Sequence, residues 1–313
     1  MALILLRQII FLTRHILFSK FVVCQFAGLH AYLPVLFSNL FSKKSLIVAG
    51  GTDCVSFPSI GYGNFSNPRN AAITRYCFKK CSLILPVHES LVKSTYSYQN
   101  KDFPEQGIKY FIPDLTTPIR VVYNGYDSRY WNRGDAVKQK NSFFTVLGHV
   151  NSRFTLQLKG IDLFIEAAKH FPEASFTILG GAGIDLREKP QNLHLISNVW
   201  GAELVKLFAV QQFYVQLSMS EGFPNALSEA MLCECVPLVS NVGGMPDIVG
   251  DCGYILKRRE KEILFELLKT ALTEVNLKNK ETCARERISS HYTFEKRQNG
   301  IDLAVEELMQ GKI

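Results

Sequence analysis

The sequence predicts an α/β protein of two doubly wound, mostly parallel sheets, the first of them incomplete. Three observations carry that expectation. Short apolar runs alternate with helical patterns along most of the chain, which is how parallel strands joined by crossover helices read. Several runs end in glycine, as SLIVAGG (45–51) and SFTILGG (175–181) do. The second half holds a full set of such units, whereas the first half reads as the back end of one.

The opening stretch MALILLRQIIFLTRHILFSK is apolar but interrupted by Arg7, Arg14, His15 and Lys20, and no small-residue cleavage signature follows. That is not the pattern of a signal peptide. It suits a helix lying on the sheet or on a membrane surface, with its cations facing anionic headgroups. The uncharged run from Phe21 to Ser42 contains Gln25, His30, Pro34 and Asn39. A membrane span takes about 20 mostly apolar residues. The run is therefore read as a buried strand at FVVC (21–24) beside a packed helix. SLIVAGG, CSLILPV (81–87) and IRVVYNG (119–125) are expected strands, AAITRYCFKK and HESLVKSTYSY expected helices. CVSFPSIGYGNFSNPRN (54–70), rich in Gly, Pro, Ser and Asn, is a loop.

The polar stretch after Asp127, SRYWNRGDAVKQKNS, divides the chain. Domains are expected at 1–133 and 134–290, with a helix at about 291–313 packing back on the first. In the second, FFTVLGH (143–149), SFTILGG, LHLIS (193–197), QFYVQLS (212–218) and VPLVS (236–240) read as strands. KGIDLFIEAAKHF (159–171) has apolar residues at 161, 163, 164, 167 and 168, one face of a helix.

Composition narrows the function. With 313 residues, 47% of them hydrophobic and 12% aromatic, the chain can bury more than one core and is not disordered. Lysine and arginine outnumber acids 35 to 28, a net +7 that suits anionic partners. No basic helix or aromatic platform supports nucleic-acid binding. No G-x-G-x-x-G with an acid about 20 residues on supports a nicotinamide dehydrogenase. The eight cysteines lack the paired spacing of a zinc site and are expected as single buried thiols in a reducing compartment. No metal cluster of the Asp-x-Asp kind stands where it would serve, so no metal is expected.

The stretch SEGFPNALSEAM (220–231) carries the chemistry. It follows a strand, where open parallel sheets bind ligands. Gly222 permits close backbone approach, and Pro224 suits a helix's first turn because it has no amide hydrogen to leave unsatisfied. The open amides of that turn can hold phosphate. Glu221 and Glu229 can meet one elongated ligand at two levels, and a carboxylate accepts two hydrogen bonds from vicinal hydroxyls. Gly180 and Gly181 after SFTILGG, and Gly243 and Gly244 in NVGGMPDIV (241–249), repeat the glycine turn at the same sheet edge. Lys159 opens a helix beside them, where a cation can neutralise a diphosphate, and Arg153 supplies a second charge.

Taken together, Glu221-GFPNALS-Glu229, Lys159-Gly160, LGGAG (179–183) and NVGGMPDIVGDCGYIL (241–256) resemble the GT-B retaining glycosyltransferases of family 4 type, the glycosyl transferases group 1 domain. The resemblance covers about 45–300. It implies a GT-B fold and transfer of a hexose-type sugar from a nucleotide diphosphate sugar to a glycan or lipid-linked hydroxyl, with retention, in polysaccharide or cell-surface glycan synthesis. It implies that Glu229 holds the ribose hydroxyls, that Glu221 approaches the donor sugar, and that Lys159 and Arg153 neutralise the diphosphate. The amides of Phe223, Pro224's neighbour Asn225, and Ala226 would contact sugar and phosphate, and the loop bearing Val199 would lie near the base. PVHESL (86–91), VVYNGYD (121–127) and GGTDC (50–54) match elements of the family's first domain, the last facing acceptor and sugar. His30 and Asp53 are acceptor-side candidates.

The chain departs from the family in having no glycine-rich loop near its start and about two fewer strand–helix units. It has Gly148-His149 for Gly-Arg, and Glu234 for a glycine. These departures imply a first sheet edge covered by the N-terminal helix or by a protein partner. They also leave a different-class reading: an impaired fragment or non-catalytic subunit that only binds nucleotide sugar or another protein. No cofactor beyond the nucleotide-sugar donor is expected. The location is expected to be cytoplasmic, peripheral on the membrane's inner face.

Overall fold

The structure, a computed structural model, describes residues 2–148 and 153–313, and among these every side chain except those of residues 2–6, 153 and 154. It divides into two compact units. Unit 1 takes Met1–Tyr96, Asn100–Tyr123 and Arg297–Ile313; unit 2 takes Ser97–Gln99 and Asn124–Lys296.

Unit 1 opens with α1 (Ala2–His15), whose last turn carries Arg14 and His15, cations that complement the helix dipole. Leu12 and the following Ile16 are buried, and the Gln8 amide donates to the His30 carbonyl. Ile9, Ile10, Phe11, Leu17 and Phe18 stay exposed. Strands β1 (Phe21–Gln25), β2 (Lys44–Ala49) and β3 (Leu83–Pro86) make a parallel sheet in that order, joined by α2 (Leu29–Leu40) and α3 (Pro68–Lys80). The Asn67 side chain caps α3 by accepting from the Arg69 and Asn70 amides, with Pro68 in the first turn.

Three expectations for this unit fail, each for a local reason. FVVC is not a buried strand: β1 lies at the sheet edge and Val23 is 55% exposed, while only Cys24 is buried. IRVVYNG does not complete a fourth strand. Residues 118–122 run along β3 through Ile84 N to Pro118 O, Arg120 N to Ile84 O and Val122 N to Pro86 O, yet only Ile84 and Ile119 bridge. Pro86 has no N–H to return, so the ladder stops. HESLVKSTYSY gives one short 3₁₀ turn (Glu89–Leu91) and then β4 (Ser94–Thr95), paired antiparallel with β5 (Glu105–Gln106) ahead of α4 (Ile108–Phe111). Its Ser, Thr and Tyr residues are poor helix formers that pack better on a strand.

Unit 2 is built on a six-stranded parallel sheet. In chain order its elements are β6 (Gln139–Val146), α5 (Arg153–Leu158), α6 (Ile161–His170), β7 (Ser175–Leu179), β8 (Leu193–Ile196), α7 (Ala202–Val210) and β9 (Gln211–Gln216). Then come α8 (Asn225–Leu232), β10 (Val236–Ser240), α9 (Met245–Val249), β11 (Tyr254–Leu256), α10 (Lys261–Leu272) and α11 (Leu277–His291). The strand order is β11-β10-β9-β6-β7-β8. The chain runs outward from β6 through β7 and β8, then returns to the other side of β6 and runs outward again. The reversal lies between β6 and β9, and in open α/β sheets this is the point at whose carboxyl ends ligands bind. Below it Phe143 stacks between Phe176 and Phe213, at centroid distances of 5.0 and 4.7 Å, all three fully buried.

The expectation of single thiols also needs correction. Cys252 and Cys283 form a disulfide that ties the turn before β11 to α11; the other six cysteines are buried and unbridged. Their separation of 31 residues matches no local motif, so only the tertiary fold reveals the pair. The last helix, α12 (Phe294–Met309), belongs to unit 1 from Arg297 onward. Arg297 donates to the carbonyls of Val122 and Tyr123, and Arg120 pairs with Glu307. Gly300 lies where a side chain would crowd Val122.

Candidate active site

The candidate site lies in unit 2, on the loops that follow β6, β7, β9 and β10. Glu221 stands at its centre. Its Oε1 accepts from Lys159 Nζ at 2.6 Å, Ser218 Oγ at 2.8 Å and Gln216 Nε2 at 2.9 Å. The Tyr214 hydroxyl donates in turn to Gln216 Oε1. Gln216, Ser218 and Tyr214 are buried, so this donor set is held in place by the core beneath it. Three donors on one oxygen fix the carboxylate's direction and leave Oε2 as its second acceptor.

Backbone packing brings the neighbouring loops to the same point. Gly160 caps α6 at φ +67, and a Cβ there would sit 2.1 Å from the Leu217 carbonyl. The Met219 amide donates to Leu158 O. Lys159 is thereby pressed against the Glu221 loop. On the other side Gly243, at φ +57, leaves 1.8 Å between its missing Cβ and Glu221 O. Only glycine fits either position. Gly244, expected to offer its amide to a ligand, instead donates it to Gly222 O at 2.9 Å. The β7 turn is similar. Gly180, at φ +81, packs on Gly148 O and Asn198, and the amides of Gly180 and Gly181 are bonded to Ile196 O and Ile178 O. These glycines shape the loops; their amides, apart from that of Gly243, are already bonded within the fold.

Pro224 is the N-cap of α8 rather than a residue of its first turn, with φ −70 and ψ 123. It has no side-chain acceptor, so nothing caps the helix and the first amides, from Asn225 through Ala226, point out open. Phe223 is buried between Tyr126 and Tyr292, at 6.3 and 4.9 Å. Asn124 Nδ2 donates to Phe223 O and to Asn225 Oδ1, which also accepts from the Tyr126 hydroxyl. Glu229 lies one turn into α8. Burial alone pushes its carboxyl up to about 7, and among the described residues no hydrogen bond or ion pair satisfies it. Glu221 and Glu229 flank the buried Tyr214, whose phenol is pushed up by burial and then by both acids.

Lys159, Glu221, Gly222, Phe223, Pro224, Asn225, Ala226, Gly243 and Gly244 therefore come together. Gly180, Gly181 and Val199 belong to the turns after β7 and β8, with Asn198 bonded to Gly148 O at 2.8 Å. The backbone of Arg153 begins α5, but its side chain lies outside the described residues, as does all of His149. Sequence reasoning missed Gln216, Ser218, Asn124 and Tyr126. The available signal was a glutamine inside the apolar run QFYVQLS. Among the described residues no group of three or more His, Cys, Asp or Glu is placed to hold a metal ion.

Residues 138–285 match the family model described as glycosyl transferases group 1. The match covers just under half of the 313 residues, all of it within unit 2. A curated relative, N-acetyl-alpha-D-glucosaminyl L-malate synthase of Bacillus anthracis, is 24% identical over 245 residues, 72% of this chain. The chain spans only 58% of that relative's length. Among solved structures, sucrose-phosphate synthase from Thermosynechococcus elongatus has a TM-score of 0.68 at 11% identity, covering 94% of this chain and 74% of its own. Anabaena HepE in complex with UDP and glucose has a TM-score of 0.65 at 12% identity, covering 88% and 75%. The pneumococcal O-GlcNAc transferase GtfA, in complex with UDP and GlcNAc, has a TM-score of 0.60 at 16% identity, covering 88% and 54%. At these identities the likeness is one of fold: α/β with parallel sheets, as in these GT-B structures.

Proposed function

We propose that the chain is a retaining glycosyltransferase of family 4 type that moves a hexose-type sugar from a nucleoside diphosphate sugar to a hydroxyl of a glycan or lipid-linked acceptor. The observation that carries this reading is the Lys159–Glu221 pair held at the β6/β9 reversal of a parallel sheet. Support also comes from the solved structures in complex with UDP or a UDP sugar that share the fold.

In the reaction the sugar C1–O bond to the diphosphate breaks and its electron pair leaves with the nucleoside diphosphate. A C1–O bond to the acceptor forms, and the acceptor proton passes to the departing phosphate oxygen. Lys159, already oriented by Glu221, and the open amides of α8 answer the charge that grows on the diphosphate. Arg153 is proposed to add a second cation. Glu221 directs Oε2 to a donor-sugar hydroxyl and does not act as a nucleophile. Glu229 accepts the ribose hydroxyls, which gives its unsatisfied carboxylate the donors it lacks. Gly180, Gly181 and Val199 line the base end. We also propose that the exposed apolar and basic face of α1 rests on anionic membrane.

Calorimetry with UDP and UDP sugars tests the reading. Glu229→Ala is expected to weaken binding by about 1.5–3 kcal/mol. The sign of the pH dependence follows from the raised carboxyl. Below about 7 Glu229 is largely protonated and accepts poorly; above it the carboxylate forms. Wild-type affinity is expected to rise from pH 6 to pH 8, and the Glu229→Gln profile to be flat. Unchanged affinity in a folded Glu229→Ala protein would sink the ribose assignment.

A further inference from the structure

Gln216 is a polar residue in an apolar position. Its strand, β9, lies between β6 and β10, and Gln216 is 7% exposed, opposite Val239 in the β10 pairing. A side-chain amide in such a place costs free energy unless its groups are bonded, and an apolar residue would avoid that cost. A local rule broken in this way marks a position where function is expected.

Both ends of the amide are used. Tyr214 lies two residues back on the same strand face, and its hydroxyl donates to Gln216 Oε1 at 3.3 Å, while Nε2 donates to Glu221 Oε1 at 2.9 Å. The Tyr214 phenol is pushed well above its usual range, by burial first and then by Glu221 and Glu229, so it stays a donor. A donor on Oε1 fixes which way the amide faces, and so keeps Nε2 on Glu221. The other two donors to Glu221 are held differently. Lys159 reaches it on a long stem, 32% exposed, and its charge is also drawn on by a diphosphate. Ser218 offers a hydroxyl, whose hydrogen rotates to suit its surroundings. Gln216 is set on a strand and bonded at both ends of its amide.

We propose that Gln216 is a positioning residue that sets the direction of the Glu221 carboxylate and thereby its selection among donor sugars, with Tyr214 fixing the amide. The inference rests on the transferase reading, in which Glu221 Oε2 meets a donor-sugar hydroxyl. When the diphosphate draws on Lys159, Gln216 keeps the carboxylate from swinging. A carboxylate held in one direction accepts from a hydroxyl in one position and leaves the epimer's hydroxyl without a partner; a swinging carboxylate accepts from either.

The test titrates the full chain by calorimetry with UDP-glucose, UDP-galactose, UDP-N-acetylglucosamine and GDP-mannose, each against its free nucleoside diphosphate. Wild type is expected to separate UDP-glucose from UDP-galactose by about tenfold, and Gln216→Leu to bring them within about twofold while free UDP keeps its affinity to within about twofold. Gln216→Glu gives a readout that a packing role does not move. It places two carboxyls on one hydrogen bond, faced by Tyr214 on β9, Lys159 and Glu221 on the loops, Glu229 on α8 and the buried Cys235 thiol ahead of β10. One shared proton restores the bond, and its loss leaves two like charges in contact. Taken as a ratio to wild type at each pH, which removes the Glu229 trend, the variant's affinity for the preferred sugar nucleotide is expected to fall about tenfold from pH 6 to pH 8. The inference is overturned if a folded Gln216→Leu keeps the wild-type preference, if it weakens free UDP as much as the sugar nucleotide, or if the Gln216→Glu ratio ignores pH. Should Gln216→Leu misfold, the Gln216→Glu ratio decides. A wild type that binds none of the donors defeats the transferase reading and this inference with it; donors bound alike by wild type and both variants defeat this inference alone.

Discussion

At the scale of single residues, the sequence disclosed chemistry better than support. Glu221, Lys159 and Gly243 were legible from residue type and spacing, and the fold brings them together as an ion pair beside a position where a Cβ would strike a carbonyl. Gln216 and Ser218 were not, because their role exists only once β9 has turned them toward Glu221. Glu234 is the sharpest example. It was noticed as an unusual residue, and the fold supplies the reason. The Glu234 amide donates to Met231 O and the Cys235 amide to Ala230 O, the Schellman pairing that ends α8, with Glu234 left-handed at φ 60. Arg133 at 3.1 Å and Lys278 at 3.3 Å hold its carboxylate. Glycine at this position removes about 1 kcal/mol of backbone strain, and alanine removes none. Both lose the same ion pairs, each worth about 0–1 kcal/mol. Glu234→Gly is expected to be more stable than Glu234→Ala by about 1 kcal/mol in urea unfolding. Equal stabilities would show that the left-handed backbone at residue 234 carries no such strain.

At the scale of elements, regular apolar runs were read correctly and interrupted ones were not. β2, β3, β6, β7, β8, β9 and β10 stand where apolar runs end in turns. The failures share a cause: proline or strand-favouring polar residues decide the outcome only against a partner segment, as Pro86 does beside residues 118–122. α1 was legible as an apolar helix with cations. Its exposed Phe11, Ile9 and Ile10, with Phe18 just beyond at 88% exposure, are accompanied by Arg7, Arg14 and Lys20. No described helix is long and apolar enough to cross a membrane. A helix of this kind binds at the interface through buried apolar area and attraction to anionic lipid. The full chain is expected to co-sediment with vesicles containing phosphatidylserine and not with phosphatidylcholine alone. High salt or the pair Phe11→Ser, Phe18→Ser should release it. Equal binding to both lipids would remove the role of the cations.

At the scale of the whole molecule, unit 2 was the most legible part because its six strands form one parallel sheet with its glycine loops in order. The detour of Ser97–Gln99 into unit 2 was not legible, since three residues carry no periodicity. It matters energetically. Tyr98 is fully buried there, and its carbonyl accepts the Arg259 amide at 2.9 Å, beside Arg259 Nη2, which donates to both carboxylate oxygens of Asp162 at 2.7 Å. A chain cut to residues 124–296 should fold cooperatively and bind UDP, but loses the Tyr98 packing. Loss of a buried aromatic costs about 3–5 kcal/mol, and restoring a peptide that contains residues 95–101 should raise its melting temperature. Failure of the cut chain to fold at all would show that its sheet is not self-sufficient.

The return of α12 to unit 1 has a consequence for how the protein is made. Arg297 and Glu307 reach residues 120–123, yet all of Asn124–Lys296 must leave the ribosome between them. At about 5–20 residues per second, that interval is roughly ten seconds or longer. Unit 2 can finish folding within it while Val122 and its neighbours wait without their cover. Order of synthesis and order of completion are therefore inverted: the unit begun first closes second, and the nascent chain presents its unfinished apolar side to chaperones for the whole of that delay.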